Sequence, residues 1–343
     1  MKRRKLIALG LALVLTCIVS LSGCGAEQNS GEVASNGYNH VTLLLNCNGS
    51  EMGNDTRMAK LFAKYVDERS DGVVKIKVFP SEQLASGNMN KGLEMITSGT
   101  TDLDIHSTSI IANLDNRLMV STMPWLFSSY QNAEDRFFGT GGDFIQKVIK
   151  PKGLTYLGAV HNGFKAITNS KHPITKPEDL KGMKIRIPGG DYYSAFYKAF
   201  GASPQAMSWS EVFTALQQGT IDGQDNSLST CNSGNIQEVQ KYITICRYTY
   251  EAFTFTANTS RFNRLNNKTQ KLIRDCAEDA CRDMDDTLVS EETDIIKKFR
   301  NAGCEVDILS NAQLAAFQKT VEPLKEQYMK KYGKEACDAF GVK

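Results

Sequence analysis

Covalent chemistry is usually built from histidines, cysteines and glycine-rich turns, and in this chain of 343 residues their spacing supports none of it. His40, His106, His161 and His172 are widely separated, and no pair has metal-ligand spacing, so each reads as structural or solvated. Nine cysteines contain no C-x-x-C pair, which argues against zinc ribbons and thiol redox motifs. Seven lie between Cys47 and Cys337, an odd number that forbids complete internal pairing; they read as small buried apolar residues, although an exported location would permit a disulfide. P-loop, H-E-x-x-H, G-x-S-x-G and strand-associated G-x-G-x-x-G patterns are absent. Gly139-Thr140-Gly141-Gly142 follows Phe137-Phe138 and reads as a turn. The sequence calls for no cofactor or metal. What remains is non-covalent: Arg186, taken alone, could clamp a carboxylate through its planar fork or serve as a surface ion-pair partner.

The elements that must position such residues follow from periodicity. Val41 to Leu45 is a continuous apolar strand, and Met58, Leu61, Phe62, Tyr65 and Val66 recur on one helical face. Val74, Ile76 and Val78 alternate with lysines up to Pro80; a short helix around Leu93 to Ile96 leads to a strand near Asp102 to Ile105. The same grammar returns from about Gly153 to Tyr250. Met183, Ile185 and Ile187 face one way and Lys184 and Arg186 the other, with Pro188 ending the strand. Thr175 to Glu178 and Ser208 to Glu211 both fit the capping box and predict helix starts. Phe253 to Asn258 is a further strand, Lys268 to Arg300 a helix of nearly 50 Å, and Phe317, Val321, Leu324 and Tyr328 mark a last amphipathic helix. Alternating strands and helices predict an α/β sheet with crossover connections.

Lys2, Arg3, Arg4 and Lys5 precede an apolar run from Leu6 to Leu21, the anatomy of an export signal too short to remain as a membrane span. Without those four charges the balance is 36 basic against 38 acidic side chains, which removes the electrostatic basis for nucleic-acid binding. Leu21-Ser22-Gly23-Cys24 resembles the bacterial lipoprotein signal, which implies cleavage after residue 23, a lipid on Cys24 and a tether over 24–38. Roughly 300 mature residues exceed one core, so two lobes are expected.

From Gly182 to Asn226 the chain reads Gly-Met-Lys-Ile-Arg-Ile-Pro, then Gly-Ala-Ser-Pro-Gln-Ala-Met-Ser-Trp-Ser-Glu-Val-Phe and Gln-Gln-Gly-Thr-Ile-Asp-Gly-Gln-Asp-Asn. With Phe79 to Leu84, Gly99 to Asp102, Pro124 to Phe127 and Asn162 to Lys165 in the same order, this resembles the solute-binding subunits of tripartite ATP-independent periplasmic (TRAP) transporters of the dicarboxylate-binding type. The resemblance implies a two-lobed, type II periplasmic-binding-protein-like α/β fold with a hinge and a long helix along both lobes. Its lobes would comprise 39–162 plus 252–291 and 163–251 plus 292–343. It further implies a monomer that closes on a small carboxylate and hands it to membrane permease subunits, with no reaction catalysed.

Site roles carry over position by position. Arg186 would grip the ligand carboxylate, Trp209 would face its carbon skeleton, and Asn226 would bond its polar groups, with Asp225 beside it. Asn48, Asn88 and Ser107 would contribute from the other lobe. Three departures stand out. Lys165 replaces an arginine and weakens a second carboxylate contact, Ser227 replaces a proline and puts loop rigidity in doubt, and Gly189-Gly190 would widen the pocket or present backbone amides. These features favour a uronate or aldonate over a C4-dicarboxylate. The alternative is a receptor for an ATP-driven transporter or a sensor kinase, and an exported hydrolase is a more distant one.

Overall fold

The structure, a computed structural model, describes residues 32–342, so the export signal and Cys24 lie outside the described residues. Ten strands form the framework: β1 Val41–Cys47, β2 Val74–Phe79, β3 Leu103–Ser107, β4 Leu154–Asn169, β5 Lys184–Ile187, β6 Ser203–Ala206, β7 Gly223–Ser227, β8 Tyr242–Ile245, β9 Tyr250–Asn258 and β10 Glu305–Ile308. The first half of the framework runs in the order β2-β1-β3-β9-β4. β1 is parallel to both β2 and β3, and β9 is antiparallel to its two neighbours. The second half adds β7, β5 and β6 on one side of β4, and β8 and β10 on the other.

β4 belongs to both halves. Its residues up to Phe164 pair with β9, and Lys165 to Asn169 pair with β7 and β8. The pairing with β9 slips at Tyr156/Gly158 and again at His161/Gly163, giving bulges where the strand passes from one half to the other. Gly163 has φ +117°, and a Cβ there would meet the Tyr130 hydroxyl and Ser227 Cβ at 3.1 and 3.2 Å. Only glycine fits this handover.

Apolar burial follows the two halves. Phe62 from the helix Asn54–Arg69 meets Phe255 edge-on at 5.0 Å, beside Leu45, Ile105, Ile273 and Ala277 in the first core. Val212, Leu216, Ile243, Ile295 and Phe299 form a second core. The 35-residue helix Asn267–Asn301 supplies Ile273 and Ala277 to one and Ile295 and Phe299 to the other, so it spans both lobes as expected for a two-lobed fold. A third, aromatic-rich cluster runs from Phe137 and Phe144 through Tyr192 and Phe196 to Tyr328 and Phe340, so the two C-terminal helices Asn311–Tyr332 and Lys334–Phe340 close over it. All seven cysteines from Cys47 to Cys337 are free and buried.

Several local expectations change. Of the expected tether, residues 32–38 are folded back: Val33 bridges Asn39, and Asn36 Nδ2 donates to Ser70 O at 2.9 Å. The glycine run does not stay a turn, because Gly139 precedes the helix Thr140–Ile149 and Gly141 and Gly142 occupy its first turn. A Cβ on Gly141 would lie 2.7 Å from the Phe340 ring, so these glycines let a helix pack closely. Neither capping box forms as read. Ser208 does precede the helix Trp209–Gln217, but its side chain makes no cap bond. Near Thr175 the chain makes only a short 3-10 turn, Pro177–Leu180, and Asp179 rather than Glu178 accepts from the backbone of Thr175 and Lys176. Pro177 favours the tight turn at that point.

Candidate functional site

The parallel strands of both halves end at one crevice, the place where open α/β sheets bind ligands. Asn48 follows β1, Ser107 ends β3, Arg186 lies near the end of β5 and Asn226 near the end of β7. The crevice is lined by Asn48, Ser107, Asn162, Lys165, Arg186 and Trp209, together with Pro188, Asn226, Thr230, Glu251 and Phe253. It is closed, with about 20 Å³ of free volume, room for a water and too little for an organic acid. Bonds across the gap hold it shut: Ser50 Oγ donates to Ser233 O at 3.3 Å, Ser210 Oγ to Gly87 O at 2.9 Å, and Ser229 Oγ to Asn54 Oδ1 at 2.5 Å.

Arg186 is almost fully buried. Its Nε and Nη2 donate to Met207 O at 3.0 and 2.8 Å, which fixes the guanidinium plane and leaves Nη1 without a protein partner. Burial lowers its pKa to about 10, against the opposing pull of Asp225 and Glu251, so it stays cationic at neutral pH. The Trp209 ring lies 5.7 Å from its Cζ and is half-buried. Trp209 packs so closely on Gly234 that a Cβ there would stand 2.6 Å from the indole.

Asn226 Oδ1 accepts from Asn162 Nδ2 at 3.3 Å and from Ser227 N at 3.1 Å, so its Nδ2 is left to donate. Ser227, in place of a proline, stiffens the loop by another route. Its Oγ accepts from Thr230 N at 3.1 Å and donates to Asn162 Oδ1 at 3.0 Å. Lys165 is 1% exposed, with Nζ 2.9 Å from Glu251 Oε2, 3.7 Å from Asp225 Oδ1 and 4.2 Å from the Tyr193 ring centre. Asp225 stands behind this lysine and accepts from the Tyr248 hydroxyl, so it backs the site rather than lining it.

From the first half, Asn48 Nδ2 donates to Glu82 Oε1 at 3.3 Å, and Ser107 Oγ bonds Ser109 Oγ at 3.1 Å. Glu82 is buried and held at φ +52° by backbone bonds from Ser81 N to Gly49 O and from Glu82 N to Cys47 O. Its carboxylate lies 2.6 Å from His106 Nε2, and Nδ1 of the same ring meets the Asp104 carboxylate. A buried triad of one histidine between two carboxylates therefore underlies Asn48 and Ser107.

Two expectations fail at the site. Asn88 does not reach the crevice: it is exposed and caps the helix Met89–Ser98, its Oδ1 accepting from the amides of Asn90 and Lys91 at 3.0 Å each. Asn88→Ala should therefore cost about 1 kcal/mol of stability, read by denaturant titration, and leave affinity for organic acids unchanged. Gly189-Gly190 does not widen the crevice either, because its wall stops at Pro188 and Gly190 gives way to the Met119 methyl, 2.7 Å from where its Cβ would be. Asn162, Pro188, Thr230, Glu251 and Phe253 line the crevice without having been expected as site residues. For Glu251 a signal exists, since it is the only charge between Tyr248 and Asn258.

A profile of the bacterial extracellular solute-binding proteins, family 7 (DctP), matches residues 49–331. The 2,3-diketo-L-gulonate-binding periplasmic protein YiaO of Escherichia coli is 31% identical over 248 residues, covering 72% of this chain and 75% of that protein. The C4-dicarboxylate-binding periplasmic protein DctP of Shewanella loihica is 30% identical over 287 residues, covering 82% and 84%. The galactonate complex of the sugar acid binding protein from Advenella mimigardefordensis superposes with a TM-score of 0.83 at 28% identity, covering 88% of this chain and 97% of that one. No helix among the described residues is long and apolar enough to cross a membrane. With Arg186 buried in a crevice between the two halves and a profile match over most of its length, this chain belongs to the family 7 extracellular solute-binding proteins, receptors of TRAP transporters rather than enzymes.

Proposed function

We propose that this protein captures a monocarboxylic sugar acid, a uronate or an aldonate, outside the cytoplasm and delivers it to the membrane permease of a TRAP transporter. The observation that carries this is Arg186: its Nη1 has no protein partner in a closed crevice, while Lys165, the other buried cation there, is already joined to Glu251. One free guanidinium edge suits one carboxylate. Around it, Asn226 Nδ2 can donate and Trp209 offers a flat apolar face to a carbon chain. The lobes divide at 39–162 plus 252–291 and 163–251 plus 292–343, and the ligand favours the closed form by its higher affinity for closed over open. We place the mature protein as a monomer anchored through lipid on Cys24.

A thermal-shift screen of organic acids followed by calorimetry tests this reading. A true ligand at about 100 times its dissociation constant adds about 2.7 kcal/mol of stability. Sugar monocarboxylates should give the largest shifts. Larger shifts from C4-dicarboxylates would replace the ligand class, and no shift from any carboxylate would overturn the reading.

A further inference from the structure

Glu251 is a carboxylate in the wall of a site that binds carboxylates, and this is the feature least expected of it. Its Oε1 accepts from Ser109 N at 3.1 Å, its Oε2 faces Lys165 Nζ at 2.9 Å, and it is 2% exposed. Lys165 meanwhile has its ammonium spread over Glu251, Asp225 and the Tyr193 ring. On the Arg186 side of the crevice, the wall and its immediate backing thus hold two cations, Arg186 and Lys165, against two anions, Glu251 and Asp225, and these four balance before any solute enters; the triad beneath Asn48 and Ser107 adds no cation that is free of carboxylates. One carboxylate docking on Arg186 leaves a single excess negative charge. A second would leave two, beside Glu251 and, among the described residues lining the crevice, with Lys165 already paired. A hydroxyl in the same place would instead find an acceptor, because each Glu251 oxygen keeps a lone pair beyond its bond to Ser109 or Lys165.

We propose that Glu251 sets the specificity of this receptor: by occupying Lys165 and standing in the crevice wall, it selects a hydroxyl donor beside it and rejects a second carboxylate. This inference rests on the sugar-acid reading and sharpens it. Negative selection of this kind works by placing like charge where the wrong ligand would bring its own.

The test uses galactonate and galactarate, which share a six-carbon skeleton and differ only in a terminal hydroxymethyl against a carboxylate. Calorimetry of the purified protein should show galactonate binding about 100-fold or more tighter than galactarate, since a buried like-charge contact is heavily penalised. Glu251→Gln should narrow that ratio at least about 10-fold. The paired variant Lys165→Met/Glu251→Gln, which keeps the interior charge-balanced, should narrow it as well and guards against misfolding of the single one. A ratio unchanged in a folded variant, or wild-type preference for galactarate, overturns the proposal. If the wild type binds neither acid, the sugar-acid reading is what fails, and 10 mM sodium sulfate at matched ionic strength decides the role of Glu251. Sulfate raising the melting temperature of Glu251→Gln but not of wild type supports it; raising both or neither overturns it.

Discussion

Arg186→Ala weakens the binding of every carboxylate ligand by at least an order of magnitude while the far-UV spectrum stays native. The ligand's charge would be left buried opposite Lys165, which Glu251 already holds, and a buried carboxylate without its partner costs about 2–5 kcal/mol, or roughly 30- to 5,000-fold in affinity. Arg186→Lys separates charge from geometry. A lysine retains the cation but cannot use one edge of a plane on Met207 O and offer the other to a ligand, so about 10- to 100-fold of affinity should be lost. Calorimetry giving unchanged affinity for either variant removes Arg186 from the site.

His106→Leu should destabilise the protein by about 3–5 kcal/mol, because Glu82 and Asp104 would face each other without the cation between them. The cost comes from the carboxylates left behind, so the variant that also carries Glu82→Gln and Asp104→Asn should recover much of it. Denaturant midpoints for the pair of variants measure both effects, and a midpoint unchanged by His106→Leu excludes the charged triad.

The same cluster gives stability a definite pH slope. Burial raises Asp104 to about 6, opposed by His106, and raises Asp55 to about 7 against backbone bonds from Gly49 and Thr56. His106 titrates well above its usual value: burial opposes its charge, but Asp104 and Glu82 outweigh it. All three groups hold protons more tightly folded than unfolded. The carboxylates therefore lose stabilisation as pH rises from about 4 to 7, and His106 loses its share above about 6.5. Burial lowers His161 to about 3, which works the other way below about pH 6.5, so melting temperature should fall from pH 6.5 to pH 8, and Asp55→Asn should flatten the lower part of that fall.

Much of the site was legible because it rides on short strands with strong local signals. Arg186 sits in an alternating strand ended by Pro188, and Asn226 closes another, so motif order brought both to the crevice. Asn88 misled for a local reason: an asparagine before a helix can satisfy two amides where it stands. Glu251 was illegible in its role because its partner Lys165 is 86 positions away in number and meets it only through the pairing of β4 with β9. The long helix declared itself by length, whereas β6 and β8 have four residues each, with Pro204 in one, too little for a period to show. β4 carries Gly158 and Gly163 at its bulges, which interrupts any alternation over its 16 residues.

Because β4 is woven into both halves of the sheet, the lobes are not interchangeable cartridges. A chimera that takes one lobe from a relative must cut this strand or inherit half of its partner's sheet edge. New ligand preferences are therefore more readily evolved by changing side chains around the crevice, with the woven strand left intact, than by recombining whole lobes.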